Sequence, residues 1–587
     1  MRENGKAGRR KFLRLIAVLS SLIVLFIGSS DELYAGSQRE PISGTPLLRQ
    51  QRLQILRETG KSAQTRVAKN LISNSDIIGQ AVSFRAFNFA TSAYYPTTAT
   101  CQNITRLRTG YNLVIYVENR QSVSPDMVIA IQGEFENTIL PTETTYFGSP
   151  PVGDFTILIL DIQDGRGTTF VSGYFDPTNE LTGDPDSNVR HMVYMDSNPG
   201  QPGGLTSLGT LAHEYFHFIH HSYDPLEETW VDEGLAGLAR FVCGYGHLKS
   251  HVSAFASAPG TSLTFWQDNL ENYGATYLFM LFLKEHYGGD SGTATTRKIV
   301  ANTEIGIAGI NSALSQSQQN VTVNDIFKNW VIANYLNNSS ISGGIYGYTD
   351  SFSGIPSAPG NLQNTDSKST YPTSGSGDVD RYAANYIKFT GLNGTYDTFI
   401  LIPYSLRDCN PQSENCSQSI LRSYSYTGRS GSLILDLTGM SDTLGMEGIQ
   451  LGSSNPTPQV QTNLGTSNTV STGGGVSSGD GGGGCFIATA AHGSPLAQEV
   501  VILREFRDRY LMTNLPGRAL VSLYYAWSPM VAGFIYRHES LKTFTRFTLY
   551  PAVTLSQVIM RNPRETGLFT LSIFLLWGWI LITRRKG

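Results

Sequence analysis

Hydrophobic and polar positions divide the chain into blocks of different period. A basic stretch (Arg9, Arg10, Lys11, Arg14) precedes an apolar run over 15–27, and Leu33-Tyr34-Ala35 offers a cleavage site before Gly36. Residues 1–35 therefore read as a signal peptide, with an uncleaved signal anchor as the alternative, and either form means export. Residues 36–80 are polar, with Leu, Gln, Arg and Lys at helical spacing over 47–74, and read as a leader or propeptide. The period then changes to two: Val82-Ser83-Phe84-Arg85-Ala86-Phe87 alternates, and 111–117 is a second strand run. Residues 124–139 are more helical, 155–161 is a buried-strand run closed by the turn Asp164-Gly165-Arg166-Gly167, and 191–196 is another strand. Most of 206–337 is helical, with one helix over 273–286 stopped by Gly288-Gly289 and another over 324–337. Strands return over 378–451, at 386–389, 398–402 and 432–436, and predict a small β-sandwich-like domain. Gly, Ser, Thr and Asn dominate 453–484, a flexible linker. Amphipathic helices over 495–512 and 529–560 set basic beside aromatic residues, which suits a membrane surface. Residues 567–583 carry no charge and are followed by Arg584-Arg585-Lys586, the pattern of a transmembrane helix with a cytoplasmic C-terminus.

Length and composition sharpen this division. At 587 residues the chain is too long for one core, and the blocks give a mixed domain at 81–340, a β-rich accessory domain at 341–452, the linker, a helical region at 485–566 and the membrane helix. Net charge is −4, so there is no basic footprint for nucleic acid. Charged residues make up only 15%, a balance that suits a secreted chain. Export permits disulfides among the five cysteines. Cys409 and Cys416 flank a short polar loop and are the expected pair, Cys101 with Cys243 is allowed without support from spacing, and Cys485 is left over.

The chemistry is concentrated in His213-Glu214-Tyr215-Phe216-His217, followed by Trp230-Val231-Asp232-Glu233-Gly234. Residues four apart share a helix face, so His213 and His217 can grip one ion, while Glu214 sits about 100° round the helix within reach of a metal-bound water. Two histidines and one carboxylate leave zinc a position for that water, whose pKa falls to about 7. The surrounding Leu208, Leu211, Ala212, Tyr215, Phe216 and Ile219 give the segment an apolar helical body. A metzincin would carry glycine and histidine three and six residues after His217, but His220 and Tyr223 stand there. The third ligand is then a carboxylate on a following helix. Thr229-x-x-Asp232 has the form of a capping box that turns Asp232 back to the helix start, which makes Glu233 the choice, with Asp232, Glu227 and Glu228 as alternatives. Gly234 and Gly237 are expected to let this helix approach the metal helix closely.

With the later stretch Tyr273-Gly274-Ala275-Thr276-Tyr277-Leu278-Phe279, these motifs resemble gluzincin metallopeptidases, and most closely the hyicolysin-like neutral proteases. The likeness covers about 110–340, including the strand 155–161 and a loop Gly173-Tyr174-Phe175-Asp176-Pro177. It implies zinc, with His213, His217 and Glu233 as ligands and Glu214 as general base. The family's usual Asn or Asp before the third ligand is met by Asp232. Peptide hydrolysis also needs an oxyanion donor, for which Tyr273 and Tyr277 are candidates against the alternative of helix packing. His220 and His221 read as surface or outer-shell residues. Gly133-Glu134-Phe135-Glu136-Asn137 faintly echoes an exopeptidase element that holds a free amine and is discounted. The acidic loop 176–188, with Asp184 and Asp186, reads as a solvated turn in preference to a calcium site. Cys485-Phe486-Ile487 and the sequence to Leu511 resemble the C-terminal CFI-box regions of exported bacterial proteins, with His492 where Tyr is commoner.

The expectation is an α+β fold with a gluzincin-like metallopeptidase domain, in an exported zinc metalloendopeptidase tethered to a Gram-negative-type envelope by its C-terminal helix. Protein or peptide is the substrate, and no organic cofactor is expected. The strand 191–196 is expected to pair an extended peptide by β-augmentation. The alternatives are a zinc aminopeptidase and a surface binding or adhesion protein on an idle metallopeptidase fold.

Overall fold

A computed structural model of the chain has two compact units, Met1–His251 with Thr276–Val321, and Val252–Ala275 with Thr322–Gly587. It describes residues 39–59 and, apart from short gaps, 76–471; beyond that only a few helical positions between 502 and 554 are described.

The first unit is built on a seven-stranded mixed sheet, ordered β1-β6-β7-β5-β4-β3-β2. The strands are β1 (Glu40–Ser43), β2 (Ala81–Asn88), β3 (Ala93–Arg106), β4 (Asn112–Glu118), β5 (Phe155–Leu160), β6 (Thr169–Phe175) and β7 (His191–Asp196). Helix α1 (Thr45–Thr59) follows β1 directly. β4, β5 and β7 run parallel, β6 is antiparallel to β7, and β1 lies parallel on the outer side of β6. Parallel neighbours need a crossover. Between β4 and β5 it is made by α2 (Pro125–Glu134), a π-helical turn (Phe135–Ile139) and α3 (Leu140–Tyr146). Ser124 starts α2 by accepting the Met127 N–H, and Pro125 occupies its first turn, where no donor is missed.

The central strands are buried on both faces, which is why 155–160 and 191–196 read as unbroken apolar runs. Leu113, Ile115, Ile157, Ile159, Val193 and Met195 feed one core, and Val114, Tyr116, Leu158, Leu160, Met192 and Tyr194 feed the other. Helix α4 (Leu205–Tyr223) lies on the first face through Leu208, Leu211, Ala212, Tyr215, Phe218 and Ile219. Each such large apolar side chain contributes about 1.5–3 kcal/mol on full burial, so the metal helix is held by the sheet independently of any ion.

Several expectations change here. Residues 39–59, within the stretch read as a leader or propeptide, are folded into the first unit as β1 and α1. Gly173-Tyr174-Phe175 belongs to β6, and the loop begins only at Asp176. β3 escaped sequence reading because its residues are mostly polar and its two faces are unevenly covered. β7 lies between β6 and β5, so it has no free edge to pair a peptide; β6 is the strand next to the sheet's border. Cys101 and Cys243 are free, buried thiols in the two separate cores, which rules out the allowed pairing. Cys409, Cys416 and Cys485 lie outside the described residues.

After α4 come α5 (Thr229–Arg240), α6 (Lys249–Ser257), α7 (Leu270–Tyr287), α8 (Ala294–Val300) and α9 (Gly306–Gln316). The second unit contains α10 (Val323–Leu336), opened by a reciprocal Thr322–Asp325 capping box and closed by Asn337 in the left-handed region. It also has β8 (Asp366–Lys368), β9 (Thr373–Val379), β10 (Ile387–Thr390), β11 (Thr398–Ser405), β12 (Ile420–Tyr426), β13 (Ser432–Asp436), β14 (Leu444–Gly452), β15 (Asn455–Gln461) and β16 (Thr469–Ser471). They form a five-stranded sheet, β15-β14-β11-β10-β8, and a four-stranded one, β16-β13-β12-β9, and β15 and β16 reach into the stretch read as a linker. The unit also takes in Val252–Ala275 and 322–340. Among the described residues no helix is long and apolar enough to cross a membrane, and 567–583 lies outside them.

Candidate metal centre

His213 and His217 leave one face of α4 a turn apart, with ring centroids 4.8 Å apart. Helix α5 packs along α4 and delivers Glu233 between them. Its Oε2 is 3.0 Å from His213 Nε2, and its Oε1 is 3.1 Å from His217 Nε2. One ligand atom from each of the three residues lies within 4.8 Å of the others, and among the described residues this is the one His/Cys/Asp/Glu group so arranged.

The donor set fits a metal ion. Zinc bonds of 2.0–2.1 Å in a tetrahedral shell place ligand atoms about 3.3 Å apart, close to both measured gaps. His217 Nε2 and Glu233 Oε1 are buried and make no aligned hydrogen bond, so their contact is an ion pair facing a shared point. Burial opposes charge on both groups. Even so, Asp232 and Glu233 hold His217 well above the ordinary imidazole range, and His217 and His213 bring Glu233 down to about 2. The pocket therefore favours positive charge.

Asp232 lies behind the triad. Its Oδ2 is 2.8 Å from His217 Nδ1, its Oδ1 is 2.6 Å from His220 Nδ1, and it is ion-paired with Arg49 of α1. Burial works against this charge, but Arg49 and His217 hold the carboxyl well below its usual range. The expected capping box is not formed: Glu228 stands at the N-cap without a side-chain capping bond, and Asp232 turns to the histidines instead. A carboxylate on the outer nitrogen of a ligand histidine fixes its ring orientation and raises its basicity. The proximity of Asp232 and His220 follows from packing between α4 and α5, and local spacing held no signal for it.

Glu214 is fully buried. Its Oε2 accepts the Thr45 hydroxyl at 2.7 Å and the Phe175 N–H at 3.1 Å, while Oε1 makes no hydrogen bond. The close passage of β6 over α4 depends on Gly173, where a Cβ would lie 2.8 Å from Thr210 Cγ2 and 3.1 Å from Glu214 Cγ. Gly234 and Gly237 face α7, against Thr276, Met280 and Tyr277, and not the metal helix as expected. The glycine between α4 and α5 is Gly209, set against the Arg240 guanidinium.

Tyr277 is buried with its hydroxyl 2.6 Å from His247 Nδ1. Tyr273, in the second unit, donates to Asp268 and meets Trp266 edge-on. A histidine that sequence reading passed over is His251 of α6, whose Nε2 is 2.9 Å from the Pro41 carbonyl. Burial, with the nearby charges of His213 and Arg240, lowers its pKa to about 3, so it is neutral and donates from Nε2. His221 is likewise lowered to about 3 by burial and by Arg49.

The other carboxylates considered from sequence have their own partners. Glu228 accepts the Trp230 indole N–H at 2.6 Å. Asp176 caps a 3₁₀ turn and accepts from Tyr94, Asp186 pairs with Arg85, and Asp184 accepts the Asp186 N–H. Glu134, in the faint exopeptidase echo, accepts the Tyr245 hydroxyl at 3.0 Å. Glu227 accepts the Gly306 N–H at 2.7 Å, and burial raises it to about 8. A folded pKa above the unfolded one gives stability that is complete below the unfolded value and lost as pH rises through the folded one. Glu227→Gln, which mimics the protonated acid, is therefore expected to be more stable than wild type at pH 9, on the order of 2 kcal/mol or more. The advantage should vanish towards pH 5, and thermal melts across that range would check it. A constant difference at all pH values would contradict it.

No family profile matches the chain, and no curated protein is similar to it. Among solved structures there is a faint likeness to the crystal structure of an aminopeptidase N family protein from Idiomarina loihiensis, at 12% identity over 65% of this chain and 75% of that one. The TM-score is 0.25, too low for the likeness to carry an argument about fold or activity. The functional reading rests on the site itself.

Proposed function

We propose that the first unit is a zinc-dependent metalloendopeptidase, with His213, His217 and Glu233 as ligands and Glu214 as general base. The observation that carries this reading is the convergence of the three ligand atoms beside a buried glutamate on the same helix. Zinc held there would polarise a peptide carbonyl and acidify water. Glu214 then takes a proton from the attacking water and returns it to the departing amine. Its Oε2 is oriented by the Phe175 N–H, and Oε1 is left with a free lone pair. Asp232 holds the His217 ring, and Arg49 balances the second buried carboxylate. The oxyanion donor in this reading is His251, whose neutral ring already donates to a peptide carbonyl, in preference to Tyr273 and Tyr277.

The endopeptidase reading is favoured because the one stretch with an exopeptidase echo is folded into a helix, with Phe135 in the core and Glu134 engaged by Tyr245. An idle binding fold would have no use for a buried base at the ligand helix. Export through 1–35 and tethering through 567–583 to a bacterial envelope are proposed from the sequence pattern alone. Metal analysis of the full chain purified with zinc is expected to find about one ion per chain, lost in His217→Ala. The loaded protein should cut blocked, internally quenched peptides. Cleavage of free-amine aminoacyl reporters alone would move the reading to an aminopeptidase, and a chain that neither holds zinc nor hydrolyses either substrate would refute it.

A further inference from the structure

Residues 39–49 touch β6, His251, Glu214 and Asp232 in turn. The Arg39 guanidinium donates to the Thr169 carbonyl and pairs with Asp164, at the start of the strand. β1 then runs along β6 in the register Glu40–Thr169, Pro41–Phe170, Ile42–Val171 and Ser43–Gly173. The Pro41 carbonyl takes the His251 N–H, and the Gly44 N–H reaches the Gly173 carbonyl at 3.0 Å. Thr45 places its hydroxyl on Glu214 and accepts the Phe175 N–H at 2.9 Å. Arg49 finally pairs with Asp232, the carboxylate behind His217.

Without β1, β6 would be the bare edge of the sheet, with its outward N–H and C=O groups free to pair an extended chain. β1 itself brings few ladder bonds to that edge. It is short, it pairs in parallel, and Pro41 brings no N–H to the ladder. The Thr45 hydroxyl meanwhile donates to Glu214 Oε2, the oxygen that also takes the Phe175 N–H.

Building on the peptidase reading, we propose that residues 39–49 are an autoinhibitory segment. They occupy the β6 edge and the Glu214 carboxylate in the resting chain, and an extended peptide takes the same edge when they leave. The test uses the full chain with a site for a sequence-specific protease inserted within 60–75. Hydrolysis of a blocked quenched peptide and hydrogen exchange of the Thr169–Phe175 amides are followed before cutting, and again after cutting, dilution and removal of the protease. Release should speed β6 exchange and raise hydrolysis at least roughly tenfold, as expected if the open form is a tenth or less of the resting population. A synthetic peptide of residues 39–54 should reverse both changes, and the same peptide with Thr45→Val and Arg49→Ala should do so more weakly. A segment that stays bound through dilution is a structural strand, and the proposal fails. Faster β6 exchange with unchanged hydrolysis in a chain that does cut the reporter also overturns it. Reversible opening of β6 with no hydrolysis in any form would count against the peptidase reading instead, so the two failures are distinguishable.

Discussion

Glu214→Gln, measured after release of residues 39–49, is expected to lower kcat/KM on a blocked peptide by roughly 10²–10⁴-fold while zinc content stays at about one ion per chain. Gln has the size of Glu, and its oxygen can still accept the Phe175 N–H that orients Oε2. It cannot take a proton. Because Glu214 is not among the atoms that converge on the ion position, zinc binding should not change, and the loss falls on the chemical step. The comparison needs kinetics and metal analysis on the same preparation. Full activity in this variant would remove Glu214 as base, and loss of zinc along with activity would make it a ligand or a structural support.

Asp232→Asn should weaken zinc binding by roughly 10–100-fold without touching a ligand. Asp232 is paired with two histidines through different oxygens and with one guanidinium. Asn offers one acceptor oxygen and turns an NH₂ group towards a donor, so at least one histidine loses its partner. Arg49 is left buried without its counter-charge, for which about 3–5 kcal/mol of stability is expected to be lost. Competition with a chromophoric chelator would measure the first effect and chemical denaturation the second. Unchanged affinity would mean that His217 is oriented by the helix alone. An affinity loss without the stability loss would mean that Arg49 finds water or another acceptor.

The period of the apolar positions was enough to find β4, β5, β7, α4, α7 and α10, because each buries a continuous face or run in a core. β3 and β6 lack that signature. β3 is polar along most of its length, and β6 contains Gly173 and borders a polar loop. The polar, helix-prone segment gave no sign of β1, because its pairing partner lies about 130 residues away. Cys101 and Cys243 were allowed to pair by compartment and count, but the sheet separates them into different cores.

The site divides along the same line. His213, Glu214 and His217 could be assigned from sequence because their relation is one turn of a single helix, a geometry that 3.6-residue periodicity sets by itself. Glu233 could be assigned only as a choice among neighbouring carboxylates, since its place 20 residues on depends on how α5 lies against α4. The contacts of His251, Arg49 and Thr45 had no signature in sequence, and Asp232 and His220 were placed near the ligands without their partners. They arise where separate elements meet, and Thr45 reaches Glu214 across 169 residues. Sequence alone determined which helix carries His213, Glu214 and His217 a turn apart, because that relation is local. Tertiary packing decided which carboxylate completes the triad, what orients its histidines and what covers its base, because those contacts exist only once distant segments are brought together.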